Sequence, residues 1–175
     1  MTTERIYPSQ IKIVSEYLND VTLSTIMDLK ENTGITHQQY RRMVKDKTLT
    51  TSLNYEHNWV TLTSIIRKNK DHWGFFTHRI ERYSRTVAIF HIKRTGKDTL
   101  PYLASKRPWG LSEKEAEELL GRDCKRTLRE LENNNSIQSR IIHGDRVYLN
   151  RVNKKADVQV KERRINPKFH TDDNE

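Results

Sequence analysis

Gln38, Arg41, Arg42 and Lys45 recur at i, i+3, i+4 and i+7, the spacing that puts four side chains on one face of a helix. Lys125, Arg126 and Arg129, with Arg122 in the turn just before them, form a second basic group. Arginine can bond guanine through two donors at once, glutamine can do the same for adenine, and lysine and arginine both bind phosphate. The first group therefore suits base edges, and the second suits phosphates and guanines. Exposed helix faces are also commonly rich in Lys and Arg for solubility alone. Finding the pattern twice, each time after a helix turn, weighs against that plainer explanation.

The elements that must carry these side chains follow from apolar periodicity. Residues 9–18 predict a helix capped by Ser9, with Ile11, Val14 and Leu18 at helical spacing. A second helix is expected from residue 22 or 23 to about residue 32, with Leu23, Ile26 and Leu29 on a shared face. In "NTGIT", Gly34 can take the positive φ that ends a helix, Ile35 can fill the angle, and Thr36 can cap the next helix. That helix, "HQQYRRMVKDK", turns Tyr40, Met43 and Val44 inward and leaves the first basic group outside. "LTTSLNY" and "WVTLTSII" then read as two strands separated by "EHN".

The second half repeats this order. "VAIFHIK", residues 87–93, reads as a buried strand, and a helix is expected over residues 98–105 with Pro101 in its first turn. Ser112 and Glu115 form the S-x-x-E box of a helix that buries Leu111, Ala116, Leu119 and Leu120 and ends at Gly121. Asp123 is placed to cap the following helix, on which Cys124, Leu128 and Leu131 face inward while Lys125, Arg126 and Arg129 face out. "SIQSRII" and "RVYLN" flank "HGD", a hairpin tip permitted by Gly144.

"LKENTGITHQQYRRMVKDKTL" with its hairpin, and "GLSEKEAEELLGRDCKRTLRELENNNSI" with its hairpin, both resemble winged helix-turn-helix domains. The resemblance covers roughly residues 8–66 and 98–150 and is one of superfamily pattern. It implies that the helix after each glycine turn is a recognition helix laid in the DNA major groove, with each wing near the flanking backbone. The first wing tip, Glu56-His57-Asn58, departs from this because it is not basic. Arg140, His143 and Arg146 give the second wing groups that could reach phosphates.

Between the two units, "DHWGFFTHRIERYSR" places Trp73, Phe76, Ile80 and Tyr83 on one helical stripe, with Arg79, Arg82 and Arg85 mostly off it. Aromatic residues among basic ones also fit base stacking on single strands, although helical spacing favours packing. The expected fold class is α+β, mainly helical: tandem winged-helix domains joined by a basic, aromatic-containing connecting helix. The expected boundaries are a first domain over 1–66, a basic connector of helix plus strand over 67–97, a second domain over 98–150, and a basic, partly disordered tail over 151–175. Lys154 and Lys155 of that tail, with Lys161, Arg163 and Arg164, would add sequence-independent attraction to phosphates.

Charge distribution agrees with an anionic partner. The chain of 175 residues carries a net +9, and residues 67–98 hold 9 Lys and Arg against 3 Asp and Glu, whereas residues 1–66 hold 7 of each. Hydrophobic residues make up 34% and charged residues 31%, grouped periodically enough to form modest cores. The single Cys124 excludes an internal disulfide, and no apolar run reaches the roughly 18 residues of a membrane span. The expectation is a soluble intracellular protein, cytoplasmic and nucleoid-associated if its source is prokaryotic.

Catalysis has little support: there is no phosphate-cradling glycine loop, no H-E-x-x-H and no paired cysteine for zinc, His72 and His78 are poorly spaced for a metal, and the scattered Asp and Glu that could hold magnesium in a nuclease form no cluster. No cofactor and no metal are expected. The expected function is double-stranded DNA binding, as a transcription regulator using two recognition helices. These could span adjacent major-groove turns about 34 Å apart in a monomer, and a homodimer is equally open. The alternatives are an architectural, chromatin-like or replication-associated DNA binder, and a winged-helix adaptor whose acidic helix 112–120, with Glu113, Glu115, Glu117 and Glu118, meets a protein partner.

Overall fold

The computed structural model describes residues 8–54, 59–80 and 87–166, which form eight helices and three small antiparallel sheets. The chain divides into two units, residues 1–94 and 95–175. Helix outweighs strand among the described residues, in a mixed α/β architecture. None of the described helices is long and apolar enough to cross a membrane.

The first unit begins with α1 (Pro8–Val21), β1 (Ser24–Thr25), α2 (Ile26–Thr33) and α3 (His37–Lys45), followed by β2 (Leu49–Thr51) and β3 (Trp59–Leu62). Val14 and Leu18 of α1 are fully buried, but Ile11 stays 37% exposed, so the inward face is narrower than the expected one. The second helix also starts later than expected. Ser24 and Thr25 pair antiparallel with Val60 and Trp59, and Thr25 caps α2 by accepting the Asp28 amide at 3.0 Å. Leu23 and Ile26 do sit one helical turn apart in sequence, but the Thr22 carbonyl is taken by the Thr61 hydroxyl, which favours the extended chain. The three-stranded sheet has the order β1-β3-β2. Val14, Leu18, Leu29, Ile35, Met43, Leu49 and Val60 close the core between helices and sheet.

Beyond β3 the structure corrects two expectations. Residues 63–66 continue as α4 (Thr63–Asn69) instead of as strand. Their β-branched composition favours a strand, but burial of Ile66 against Phe76, Ile80, Ala88 and Phe90 overrides that local preference. Over the described residues the expected connecting helix is replaced by strand as well: Phe75–Arg79 is β4, paired in an antiparallel hairpin with β5 (Val87–His91). The 3-4-3 spacing of the stripe is helical, but Phe76 and Ile80, four apart, can also share a strand face, and the ladder that pairs Phe76 with Phe90 overrides the local period. A turn at residues 71–74 sets the strand's start, where the Asp71 carboxylate accepts the Phe75 amide at 2.8 Å. Tyr83, Arg82 and Arg85 lie outside the described residues.

The hairpin belongs to the first unit. The Leu53 amide donates to the Ile89 carbonyl at 2.6 Å, and the Arg94 guanidinium donates to the Val44 carbonyl at the end of α3 at 2.9 Å. His91 is fully buried against Phe75. Its Nδ1 accepts the Lys93 amide at 2.9 Å, so the ring proton resides on Nε2, which donates to the Trp73 carbonyl at 2.9 Å.

The second unit holds α5 (Gly96–Lys106), β6 (Leu111–Ser112), α6 (Glu113–Leu120), α7 (Lys125–Asn133), β7 (Gln138–Ile142), β8 (Asp145–Leu149) and α8 (Asn153–Ile165). Its first six elements repeat the order of α1 to β3, and its sheet order, β6-β8-β7, matches that of the first unit. Thr95 caps α5, which starts two residues earlier than expected. Pro101 therefore lies in the second turn, where its missing N–H removes the helical donor to the Lys97 carbonyl. The expected basic tail is also corrected: residues 153–165 form α8 with Ala156, Gln159, Val160 and Arg163 buried, while residues 167–175 lie outside the described residues.

Burial holds the His91 ring below its ordinary imidazole pKa, so the folded unit favours the neutral form. The unfolded chain takes up a proton near pH 6.5 while the folded chain does not, and stability falls as pH drops below that value. Thermal unfolding followed between pH 8 and 5 is expected to show a loss of at most about 1.4 kcal/mol per pH unit from this group. His91→Leu should flatten that fall while lowering stability at pH 8, because the Trp73 carbonyl and the Lys93 amide lose their partner.

Candidate nucleic-acid interface

The first basic group is presented by a helix whose ends are both fixed. Gly34 adopts φ 68° and donates to the Lys30 carbonyl at 2.9 Å, which closes α2 and turns the chain. Ile35 is buried in the angle, and Thr36 opens α3 with a reciprocal box: its hydroxyl accepts the Gln39 amide at 3.2 Å while the Gln39 side chain accepts the Thr36 amide at 2.9 Å. Tyr40 and Met43 anchor α3 in the core with Val44 half-buried beside them, and Gln38, Arg41, Arg42 and Lys45 are all exposed on the other side. Arg42 pairs with Asp46 at 3.7 Å; among the described residues, Arg41 and Lys45 form no ion pair. The structure thus brings the four residues together on one solvent-facing surface, as their spacing predicts.

The second group is built similarly but is more compensated. Gly121 closes α6 with φ 64°, and its amide donates to the Glu117 carbonyl at 2.8 Å. The Asp123 carboxylate accepts the Lys125 amide at 2.8 Å, although Cys124 occupies the cap position of α7. Lys125, Arg126 and Arg129 are exposed, and Leu128 and Leu131 are buried opposite them. Glu130 lies on the same helix and pairs with both Arg126, at 3.2 Å, and Lys97, at 3.3 Å. Those two cations hold the Glu130 carboxyl below its usual range, so it stays ionised and offsets part of the positive surface. Arg122 does not join the group: its guanidinium packs over Gly96, where a Cβ would collide with it. The Cys124 thiol is buried, and burial pushes it up to about 11, which keeps it protonated and unreactive at neutral pH.

The second wing departs further from expectation. Arg140 pairs at 2.7 Å with Asp157 of α8, and Arg146, across the hairpin, pairs at 3.3 Å with Glu132 of α7. The alternation of side chains along the strands sends these arginines to opposite faces, so they do not converge on one phosphate. His143 stands exposed in the two-residue turn with Gly144. Arg79 is exposed on β4. Lys154 and Lys155 are exposed on the first turn of α8. Residues 56–58 of the first wing lie outside the described residues.

Arg163, read in sequence as a tail charge, is 4% exposed and donates to Glu115 at 2.9 Å and to the Trp109 carbonyl at 3.3 Å. Glu115 also closes the capping box of α6, accepting the Ser112 amide at 2.7 Å, and lies 3.8 Å from Arg107. Glu113 accepts the Tyr148 hydroxyl at 3.0 Å. Two of the four glutamates in the acidic helix are therefore internal partners, and Glu117 and Glu118 are the ones that face solvent. Among the described residues, no group of three or more His, Cys, Asp or Glu is arranged to hold a metal.

Sequence reasoning missed Arg94 and Lys97, because the contacts that define them join distant segments. It also counted Lys47, Arg67 and Lys68 only as charge, although the run "RKNK" after Ile66 was visible. Compared with models of known protein families, with curated proteins and with solved structures, the chain matches none.

Glu115→Gln keeps an acceptor for the capping box but leaves Arg163 and Arg107 without their carboxylate. It is expected to lower the unfolding free energy of the second unit by about 3 kcal/mol, and Glu115→Ala by about 1 kcal/mol more as the cap is lost too. Chemical denaturation of the three proteins, followed by circular dichroism, measures both steps.

Proposed function

We propose that both units are winged-helix domains and that the chain binds double-stranded DNA as a transcription regulator, with α3 and α7 as its recognition helices. The observation that carries this reading is a repeated one. In each unit, the helix that follows a left-handed glycine turn buries one face in the core and offers Lys and Arg on the other. The repeated element order and the matching sheet orders, with the first strand beside the third, support the domain assignment. A major groove about 12 Å wide admits one such helix. The first unit supplies the stronger attraction, with 15 Lys and Arg against 9 Asp and Glu, compared with 17 against 14 in the second.

The two helices then differ in their work. Gln38 and Arg41 on α3 present base-reading chemistry with little internal competition, whereas α7 shares its surface with Glu130 and contributes mainly backbone contacts. Lys154 and Lys155 add non-specific attraction.

Binding to a mixed-sequence duplex, measured by fluorescence anisotropy across a salt series, is expected to give a log–log slope that steepens by about 0.9 for each phosphate neutralised. Arg41→Ala with Arg42→Ala should then reduce discrimination between sequences, and Arg126→Ala with Arg129→Ala should weaken all duplexes alike. Uniform weakening in both pairs would make the protein an architectural binder. Absence of binding at low salt would sink the DNA reading and leave the adaptor. Glu130→Gln removes the carboxylate that ties up Arg126 and Lys97, and should tighten duplex binding several-fold.

A further inference from the structure

The first unit contains an open pocket of about 540 Å³ that none of the expected DNA contacts touches. It lies where the end of α3, the start of α4 and the middle of α1 meet, and is lined by Lys47, Arg67 and Lys68 together with Ser15, Thr48 and Ser64. None of the described residues lining it is acidic. The carboxylates next in sequence are turned to other work: Glu16 pairs with Lys12 and Asp46 with Arg42, each at 3.7 Å.

Backbone geometry holds the cations at the rim. Lys47 takes φ 66°, a left-handed conformation that is costly for a residue with a side chain. Backbone bonds maintain it: the Lys47 amide donates to the Val44 carbonyl at 3.3 Å, the Thr48 amide to the Met43 carbonyl at 2.9 Å, and the Thr63 amide to the Thr48 carbonyl at 3.0 Å. A buried hydroxyl pair, Thr50 with Thr63 at 2.8 Å, fixes the base of α4, from which Arg67 and Lys68 project one turn further on. Three cations and the hydroxyls of Ser15, Thr48 and Ser64 around one concavity form a donor-rich site with no carboxylate among the described residues that line it.

We propose that this pocket binds a phosphate group, with Arg67 and Lys68 supplying charge-assisted hydrogen bonds, Lys47 closing the opposite side, and the hydroxyls of Ser15, Thr48 and Ser64 completing the donors. The group comes either from a free phosphorylated compound or from a DNA phosphodiester. The site does not rest on α3 or α7 lying in a groove, and it stands if that reading fails.

The full chain, labelled with ¹⁵N and titrated with inorganic pyrophosphate at low ionic strength, tests the proposal. The expected result is saturable movement of the Lys47, Thr48, Ser64 and Arg67 amide signals. In the Arg67→Gln, Lys68→Gln double variant, the concentration needed should rise roughly tenfold or more. Both side chains are exposed, so the variant should fold, and an unchanged spectrum elsewhere verifies this. Lys106→Gln, an exposed cation on the other unit, should leave the titration unaltered. Addition of a mixed-sequence duplex then separates the sources: displacement of pyrophosphate from these signals points to the DNA backbone, and indifference to the duplex points to a free compound. Shifts that rise without saturation, or that are equal in the double variant, would overturn the proposal as general screening of a basic surface.

Discussion

Glu115 holds the second unit together where the start of α6, the segment after α5 and α8 meet. One half-buried carboxylate accepts the Ser112 amide, pairs with Arg163 and faces Arg107, so the entry of α6, the segment after α5 and the chain's last described helix meet on two oxygens. Burying two guanidinium groups is costly without such a partner, and burying the carboxylate is costly without them. Gln159 reinforces the same junction by accepting the Asn150 amide and donating to the Ala104 and Arg107 carbonyls.

The first unit solves the equivalent problem differently. Its basic helix is secured at its end by Arg94, which reaches the Val44 carbonyl from beyond the β4–β5 hairpin. A cation at a helix C-terminus is favourable to the helix dipole, so the contact is electrostatic as well as geometric. The segment that sequence placed between domains is therefore part of what holds the first one in shape.

Features set by neighbours three or four residues apart were legible in sequence. Thr36, Gly34, Ser112, Glu115 and Gly121 act as caps and turns because the groups they satisfy are local. The exposed basic faces of α3 and α7 followed from the same 3.6-residue period. What stayed hidden depended on distant partners or on ambiguous spacing. The inward stripe of α8 is Ala156, Gln159, Val160 and Arg163, regular in spacing but half polar, and the groups to which Gln159 and Arg163 donate lie 48 to 55 residues earlier. Ala156 and Val160 pack on Ile142, Val147 and Leu149, but two apolar residues alternating with an amide and a guanidinium are too weak a hydrophobic pattern to mark the helix. Arg140, Arg146 and Arg163 likewise looked available for phosphates because nothing local marks Asp157, Glu132 and Glu115 as their partners.

The two basic helices are nine residues each, shorter than the roughly 12–15 residues at which an isolated helix is even marginal in water. Neither array of Lys and Arg exists as an array in the unfolded chain. It is assembled only when the three-stranded sheet closes, and closure pairs residues as far apart as Ser24 with Val60 and Leu111 with Tyr148. Order in each helix is thus borrowed from contacts made across the length of its unit. A heated or partly digested unit should lose its charged surface in the same cooperative event that melts its sheet, with no intermediate in which a basic helix survives alone.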